Sequence, residues 1–135
     1  MDLDRALRIS AAGMAAQSTR LRVVAENLAN RDSTGGTPGA DPYRRRTVTF
    51  ANRLDRAAGT DIVRVSRIGT APGEFQQRYE PSHPAADANG YVKTPNVDSL
   101  IEVMDMREAQ RSYNANLSVL ETTRGMLSRT IEALR

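Results

Sequence analysis

Apolar positions recur in sevens at both ends of the chain and in twos through its middle. Toward the C-terminus the series Met106, Tyr113, Leu120, Leu127 and Leu134 is apolar or aromatic throughout. A companion series, Val103, Gln110, Leu117, Arg124 and Ile131, adds a broken second stripe. Two such series, offset by three and four residues, share one helical face, so residues 97–135 predict a long helix bearing a narrow apolar ridge between charged flanks. A ridge of this kind needs a groove, supplied by its own domain or by another segment or chain. The N-terminal residues 1–30 repeat the theme: Leu7, Met14, Leu21 and Leu28 fall at sevens, with Leu3 one turn earlier, Val24 between the last two, and Ala11 and Ala25 beside them. This second helix has Asp2 or Asp4 to cap its free amides. It should stop near Asn30, before the turn formers Asp32-Ser33-Thr34-Gly35-Gly36. Ser10 and Gln17 stand where a coiled coil wants branched apolar residues, and Gly13 costs about 1 kcal/mol relative to Ala. Arg124 and Gly125 are the corresponding flaws in the C-terminal seam. Each helix alone would be marginal in water, and the two are expected to bury one another.

Between them the period changes. Asn30 and Gly35 or Gly36 are candidates for positive φ, Pro38 and Pro42 fix extended or turn backbone, and Tyr43 is placed to pack back on the helix end. Arg46, Val48 and Phe50 alternate with Thr47 and Thr49. Residues 62–68 alternate in the same way, and Phe75, Gln77 and Tyr79 form a third run. Asn89-Gly90 before Tyr91-Val92 is a turn signal. Residues 44–93 therefore predict a small, mostly β insert of three or four short strands. The second helix is announced at Pro95: Ser99 with Glu102 three residues later fits a capping box, and Asp98 is an alternative cap. The expected class is α+β, divided into an N-terminal helix (1–30), a loop with the β insert (31–96) and a C-terminal helix (97–135).

Composition narrows the chemistry. Of 135 residues only 39% are hydrophobic, and the aromatic residues are two Phe and four Tyr, so the core must be modest. The net charge of +3 comes from an unusual basic set, eighteen Arg and one Lys, but acids interrupt nearly every basic run, and stacking aromatics between the arginines are few. Arg44-Arg45-Arg46 reads as a solvated charge run in preference to an anion contact. Cysteine is absent, which removes thiol and disulfide chemistry. Met1-Asp2-Leu3-Asp4 is acidic where a secretory signal is basic, and no apolar run approaches a membrane span. His83, the single histidine, lies between Ser82 and Pro84 with no acid or cysteine at metal-ligand spacing, and any nucleophile needing a histidine base would have to use it. It reads as a loop residue in a Pro-fixed turn. Asp105 and Glu108 sit beside Arg107 and Arg111 as surface ion pairs. Neither catalysis nor a cofactor is expected.

Specific motifs point further. Ile9-Ser10-Ala11-Ala12-Gly13-Met14, Ala25-Glu26-Asn27-Leu28-Ala29-Asn30 and Thr37-Pro38-Gly39 are followed by Gly39-Ala40-Asp41-Pro42-Tyr43-Arg44-Arg45, by the run from His83 to Val92, and by Pro95-Asn96-Val97. Met104-Asp105-Met106 and Arg111-Ser112-Tyr113-Asn114-Ala115-Asn116 complete the series. In this order the chain resembles the bacterial flagellar basal-body rod proteins, most closely their proximal rod members. It departs from the pattern at Asn114, where the family often has an acid, and at Glu102-Val103-Met104.

The resemblance implies a structural subunit that assembles helically into the rod, the drive shaft between the motor's membrane ring and the hook. It also implies export through the flagellum's own type III apparatus without a cleaved signal. Expected partners are further copies, other rod proteins and the export-gate adaptor at the rod base, with no nucleic acid and no direct membrane insertion. The assembly interface would use the heptad faces, namely Leu3, Leu7, Met14, Leu21, Val24 and Leu28 on the first helix and Val103, Met106, Tyr113, Leu117, Leu120, Leu127, Ile131 and Leu134 on the second. The family's motif loop would be carried by Asn27, Asn30, Pro38, Gly39, Pro42, Tyr43 and Arg44. A cytoplasmic coiled-coil adaptor would share the heptads, and a nucleic-acid binder would use Arg44, Arg45 and Arg46.

Overall fold

The computed structural model describes residues 2–135. The element order is α1 (Leu3–Ala29), β1 (Arg46–Asp55), β2 (Thr60–Thr70), β3 (Gln76–Tyr79), β4 (Tyr91–Thr94) and α2 (Ser99–Ala133). Two long terminal helices pack together, with a small antiparallel β insert between them in sequence, the α+β arrangement expected from the change of period. The strands form two separate two-stranded sheets, β1–β2 and β3–β4. Only the second is short. β1 and β2 run for 10 and 11 residues, longer than the short strands expected, because each extends past its alternating run toward the turn between them. In the second sheet Gln76 faces Thr94 and Tyr79 faces Tyr91, whose rings meet edge to face at 5.3 Å.

Local chemistry accounts for the helix ends. Asp2 Oδ1 accepts the Arg5 amide at 3.2 Å and serves as the cap of α1, whereas Asp4 accepts from Arg8 one turn on at 2.9 Å. At the other end the Asn30 side chain donates to the Glu26 carbonyl at 2.9 Å and accepts from Ser33 Oγ at 3.0 Å. Asn30 therefore ends the helix by side-chain bonding, and no described residue other than glycine has positive φ. The left-handed turn expected at Asn30, Gly35 or Gly36 falls instead at Gly39, with φ of 73°. Gly35 is small for another reason, since a Cβ there would lie 2.5 Å from that of Ala40. Of the two caps weighed for α2, Asp98 is used: its Oδ1 accepts from Leu100 at 3.0 Å. Glu102 does not turn back to complete a capping box, because it is buried elsewhere.

The chain packs as two compact units. One holds α1 as far as Leu21, residues 48–67 and α2 from Arg107 onward; the other holds residues 22–47 and 68–106. Each draws on both ends of the chain and on the insert. In the first, Ser10, Gly13 and Ala16 of α1 are buried, as are Ala109 and Thr123 of α2, and Arg20 meets Glu108 at 3.4 Å. The β1–β2 hairpin joins this unit through buried Ala58 and Ile62, and Arg5 Nε donates to the Ala58 carbonyl at 3.0 Å. In the second, Val23 and Val24 of α1 are buried, with Ala85, Val92 and Glu102.

The helix faces that meet are thus rotated from the apolar stripes. The α2 series that goes inside is Glu102, Ala109, Asn116 and Thr123, at the same spacing of seven but one position before the Val103 series. Of these Asn116 is half-buried and the others buried. Close approach of two helices selects the smallest side chains for the line of contact, and larger ones splay to its sides. Accordingly Leu3, Leu7, Met14, Leu21 and Leu28 are half-buried, as are Met106, Tyr113, Leu117 and Leu120, while Val103, Leu127, Ile131 and Leu134 are exposed and Val24 is buried. Gly13 is the clearest case. A Cβ placed there would lie 2.8 Å from Asn116 Nδ2 and 3.0 Å from its Cγ, and that amide is already engaged with the Ser112 carbonyl at 3.0 Å. What reads in sequence as a weak point is the seat of a partner side chain.

Two glycines therefore give a matched test. Gly125 lies on α2 with nothing within 4 Å of a Cβ placed on it, so Gly125→Ala should stabilise by about 1 kcal/mol through helix propensity. Gly13→Ala should give none of this gain until Asn116→Ala is added, with a coupling of at least about 0.5 kcal/mol, measured by urea unfolding of the four variants.

Candidate functional site

The family motifs converge in the second unit on one buried polar cluster. Asn27, on the last turns of α1, is 1% exposed, and its side-chain amide is saturated. Oδ1 accepts from Tyr43 OH at 2.7 Å and from the Arg46 amide at 2.9 Å. Nδ2 donates to the Arg46 carbonyl at 2.9 Å and to Glu102 Oε2 at 3.3 Å. The paired bonds to both backbone groups of Arg46 make Asn27 act like one residue of a neighbouring strand, and so fix the start of β1 against α1. Glu102, on the first turn of α2, is completely buried, and its other oxygen accepts from Arg45 Nε. A carboxylate can be held there only because it is both paired and hydrogen-bonded.

The arginines on either side are also engaged. Arg46 Nη1 lies 3.0 Å from Glu26 Oε2. Arg44 Nη1 donates to the carbonyls of Ala71 and Gly73 at 2.9 and 2.8 Å, and its guanidinium lies over the Phe75 ring at 4.3 Å. Asn96 takes the same two carbonyls from the other side with its Nδ2 and accepts the Arg45 amide at 2.8 Å. The run Arg44-Arg45-Arg46 is therefore not the solvated charge run expected from its composition. Each guanidinium has a named partner, because the Asn27 and Asn96 bonds hold this backbone where α1, α2 and the 71–75 segment all come within reach.

The motif loop is anchored by the same logic. Pro42 is buried, Asn30 and Tyr43 are half-buried, and Pro38 and Gly39 are exposed. The Tyr43 amide donates to the Ser33 carbonyl at 2.9 Å, and the Gly39 amide to the Ala85 carbonyl at 3.2 Å. His83 braces this loop. Its Nδ1 accepts the Ala85 amide at 3.0 Å, which leaves Nε2 to donate to Thr34 Oγ1 at 3.2 Å. Burial, with help from the Glu26 and Glu102 carboxylates, pushes the Tyr43 phenol above its ordinary pKa, and Arg46 opposes the shift. The phenol so stays protonated and donates to Asn27. Among the described residues no group of three or more His, Cys, Asp or Glu is placed to hold a metal, and no helix is long and apolar enough to cross a membrane. Sequence reasoning did not identify Glu102 or Asn96 as partners of this cluster. The sequence assigns Glu102 to a capping box, and its burial is known only from the fold.

What these groups build is a latch between the end of one helix, the start of another and the loop that joins them, which is the work of a structural subunit. The comparisons agree. A model described as flagella basal body rod protein matches residues 7–36, and one described as flagellar basal body rod FlgEFG protein C-terminal matches residues 88–133. The flagellar basal-body rod protein FlgC of Agrobacterium fabrum is 54% identical over 98% of this chain and 96% of its own length. FlgC of Salmonella typhimurium is 45% identical over 91% of each chain, and that of Aquifex aeolicus 40% identical over 98% of each. The chain belongs to the flagellar basal-body rod protein family, in its FlgC group. Its function is that of a structural subunit of the rod.

Two outcomes follow for the latch. Asn27→Ala strips partners from both backbone groups of Arg46 and from Glu102, and should lower unfolding free energy by about 2–4 kcal/mol in urea. The raised Tyr43 pKa means that the folded protein holds this proton more tightly than the unfolded chain. Its contribution is therefore full below about pH 10 and is lost as pH rises through the folded value. Thermal melts between pH 9 and about 11.5 should show a steeper loss of stability for the native chain than for Tyr43→Phe.

Proposed function

We propose that the chain builds the proximal rod by helical assembly with further copies of itself and with other rod proteins, and meets the export-gate adaptor at the rod base. It reaches that place through the flagellar type III apparatus without a cleaved signal. In the assembled state the apolar flanks of α1 and α2 pack against neighbouring subunits, and torque passes through many such interfaces.

The observation that carries this reading is the bare C-terminal part of α2. From Arg124 to Ala133 every residue is exposed, Met126, Leu127 and Ile131 among them. Val119, one turn earlier, and Leu134, just beyond the helix, are exposed too. A helical end of this length has no tertiary packing to stabilise it and is weak on propensity alone. An apolar stripe held in water belongs to an interface. Burial against neighbouring subunits supplies both needs at once, which a freely soluble adaptor would not explain.

Ile131, 52% exposed, separates assembly from folding. Ile131→Asp should change monomer stability by no more than about 0.5 kcal/mol. In a strain lacking the native gene it should still be exported, yet fail to restore swimming in soft agar or rods in isolated basal bodies. Normal swimming would refute the interface.

A further inference from the structure

The tip of the β1–β2 hairpin is basic, and although Ala58 packs inward, Arg53, Leu54, Arg56 and Arg64 are exposed. Residues 48–67 carry Arg53, Arg56, Arg64 and Arg67 against Asp55 and Asp61. The turn is held by the Gly59 amide, which donates to the Asp55 carbonyl at 2.8 Å, and by Asp55 Oδ1, which accepts from Ala57 at 2.9 Å. Gly59, with φ of 64°, supplies the left-handed residue that closes it. Arg53, Arg56 and Arg64 line one cleft of about 300 Å³, and among the described residues none of the three has a hydrogen-bond or ion-pair partner. Leu54, between the first two, is 60% exposed.

A surface of opposite charge lies in the other unit. Residues 68–106 carry six acids against Arg78 and Lys93, but most are engaged: Glu102 in the latch, Glu80 with Arg78, Asp87 with the Asn89 and Tyr91 amides. Glu74 has no partner among the described residues, and exposed Asp98 uses its Oδ1 for capping. These two acids line the same groove, about 440 Å³, walled also by Gln76, Pro95 and Val97. Leu100, two residues beyond Asp98, is 69% exposed.

We infer that the hairpin tip of one copy seats in the Glu74–Asp98 groove of a second copy, with Arg53 and Arg56 against the two carboxylates and Leu54 covering Leu100. The tip offers unpaired guanidinium groups around an apolar residue, and the groove offers carboxylates beside one. A charged rim around an apolar contact fixes orientation as well as attraction. Tip and groove are different surfaces, so the contact is heterologous: each copy that receives a tip still presents its own, and a rotation that does not close repeats the contact into an open helix, as a rod requires. The inference rests on the reading of the chain as a self-assembling rod subunit, and adds the surface that joins one copy to the next.

The absence of native cysteine permits a clean test. Leu54→Cys and Leu100→Cys are carried on separate alleles, co-expressed in a strain lacking the native gene, and isolated basal bodies are oxidised. A disulfide-linked dimer is expected when both alleles are present and not with either alone. Adding Arg53→Glu and Arg56→Glu to the first allele should lower its yield at least about tenfold. Glu74→Arg on the second should restore it, which a misfolded tip would not allow. No dimer in basal bodies that contain the chain, or a yield indifferent to charge reversal, overturns the inference and leaves the rod reading standing. A dimer from Leu54→Cys alone means that tips meet tips, and also overturns it. Absence of the native chain from basal bodies would instead overturn the rod reading, and this inference with it.

Discussion

Asn27 uses both lone-pair directions and both amide hydrogens inside the protein, on Tyr43, on the two backbone groups of Arg46, and on Glu102. Through that one side chain the end of α1, the entry to the β insert and the start of α2 are held in a single geometry. Glu102 completes the arrangement from the opposite helix. Its charge could not remain fully buried without Arg45 and Asn27. The latch therefore behaves as a unit in which every member is satisfied by the others. Such a unit is costly to break at any point and specifies one conformation in preference to many similar ones.

Where the latch secures the chain's crossing points, the helix pair in the first unit is secured by smallness. Ser10, Gly13 and Ala16 are buried on α1 and Ala109 and Thr123 on α2, with Gly13 set against Asn116, an arrangement with little apolar area. This choice has a consequence outside the subunit. The large apolar residues that would fill the centre of a conventional coiled coil are displaced to its flanks, half-buried on α1 and exposed along the last turns of α2. A free monomer carries that surface as a liability, which the proposed assembly into the rod would relieve.

The two features divide the labour of a shaft component. A saturated polar cluster resists distortion within the subunit, because any displacement strands a buried donor or charge. Apolar flanks and charged projections face outward, where in the proposed assembly many modest contacts repeated along a polymer would carry load between subunits. Stiffness inside and adhesion outside come from different side-chain chemistry, so either can be altered without the other.

Periodicity alone located both long helices to within a residue or two, the alternating strands and the Asn89-Gly90 turn, since these depend on local spacing and on which residues tolerate a given φ. It also supplied the heptads, but not which line of the heptad goes inside: counting large apolar residues selects the flank, and close approach of two helices selects Gly13 and Ala109. The arginine run shows the same division. By sequence Arg44, Arg45 and Arg46 are three charges in a row. Only the folded chain brings Glu26, Glu102 and the 71–73 carbonyls to them, from 20 to 57 residues away along the sequence. Local patterns determined what each segment would be; partners so distant in sequence leave no local signature, and only the tertiary structure decided which polar groups would be buried together.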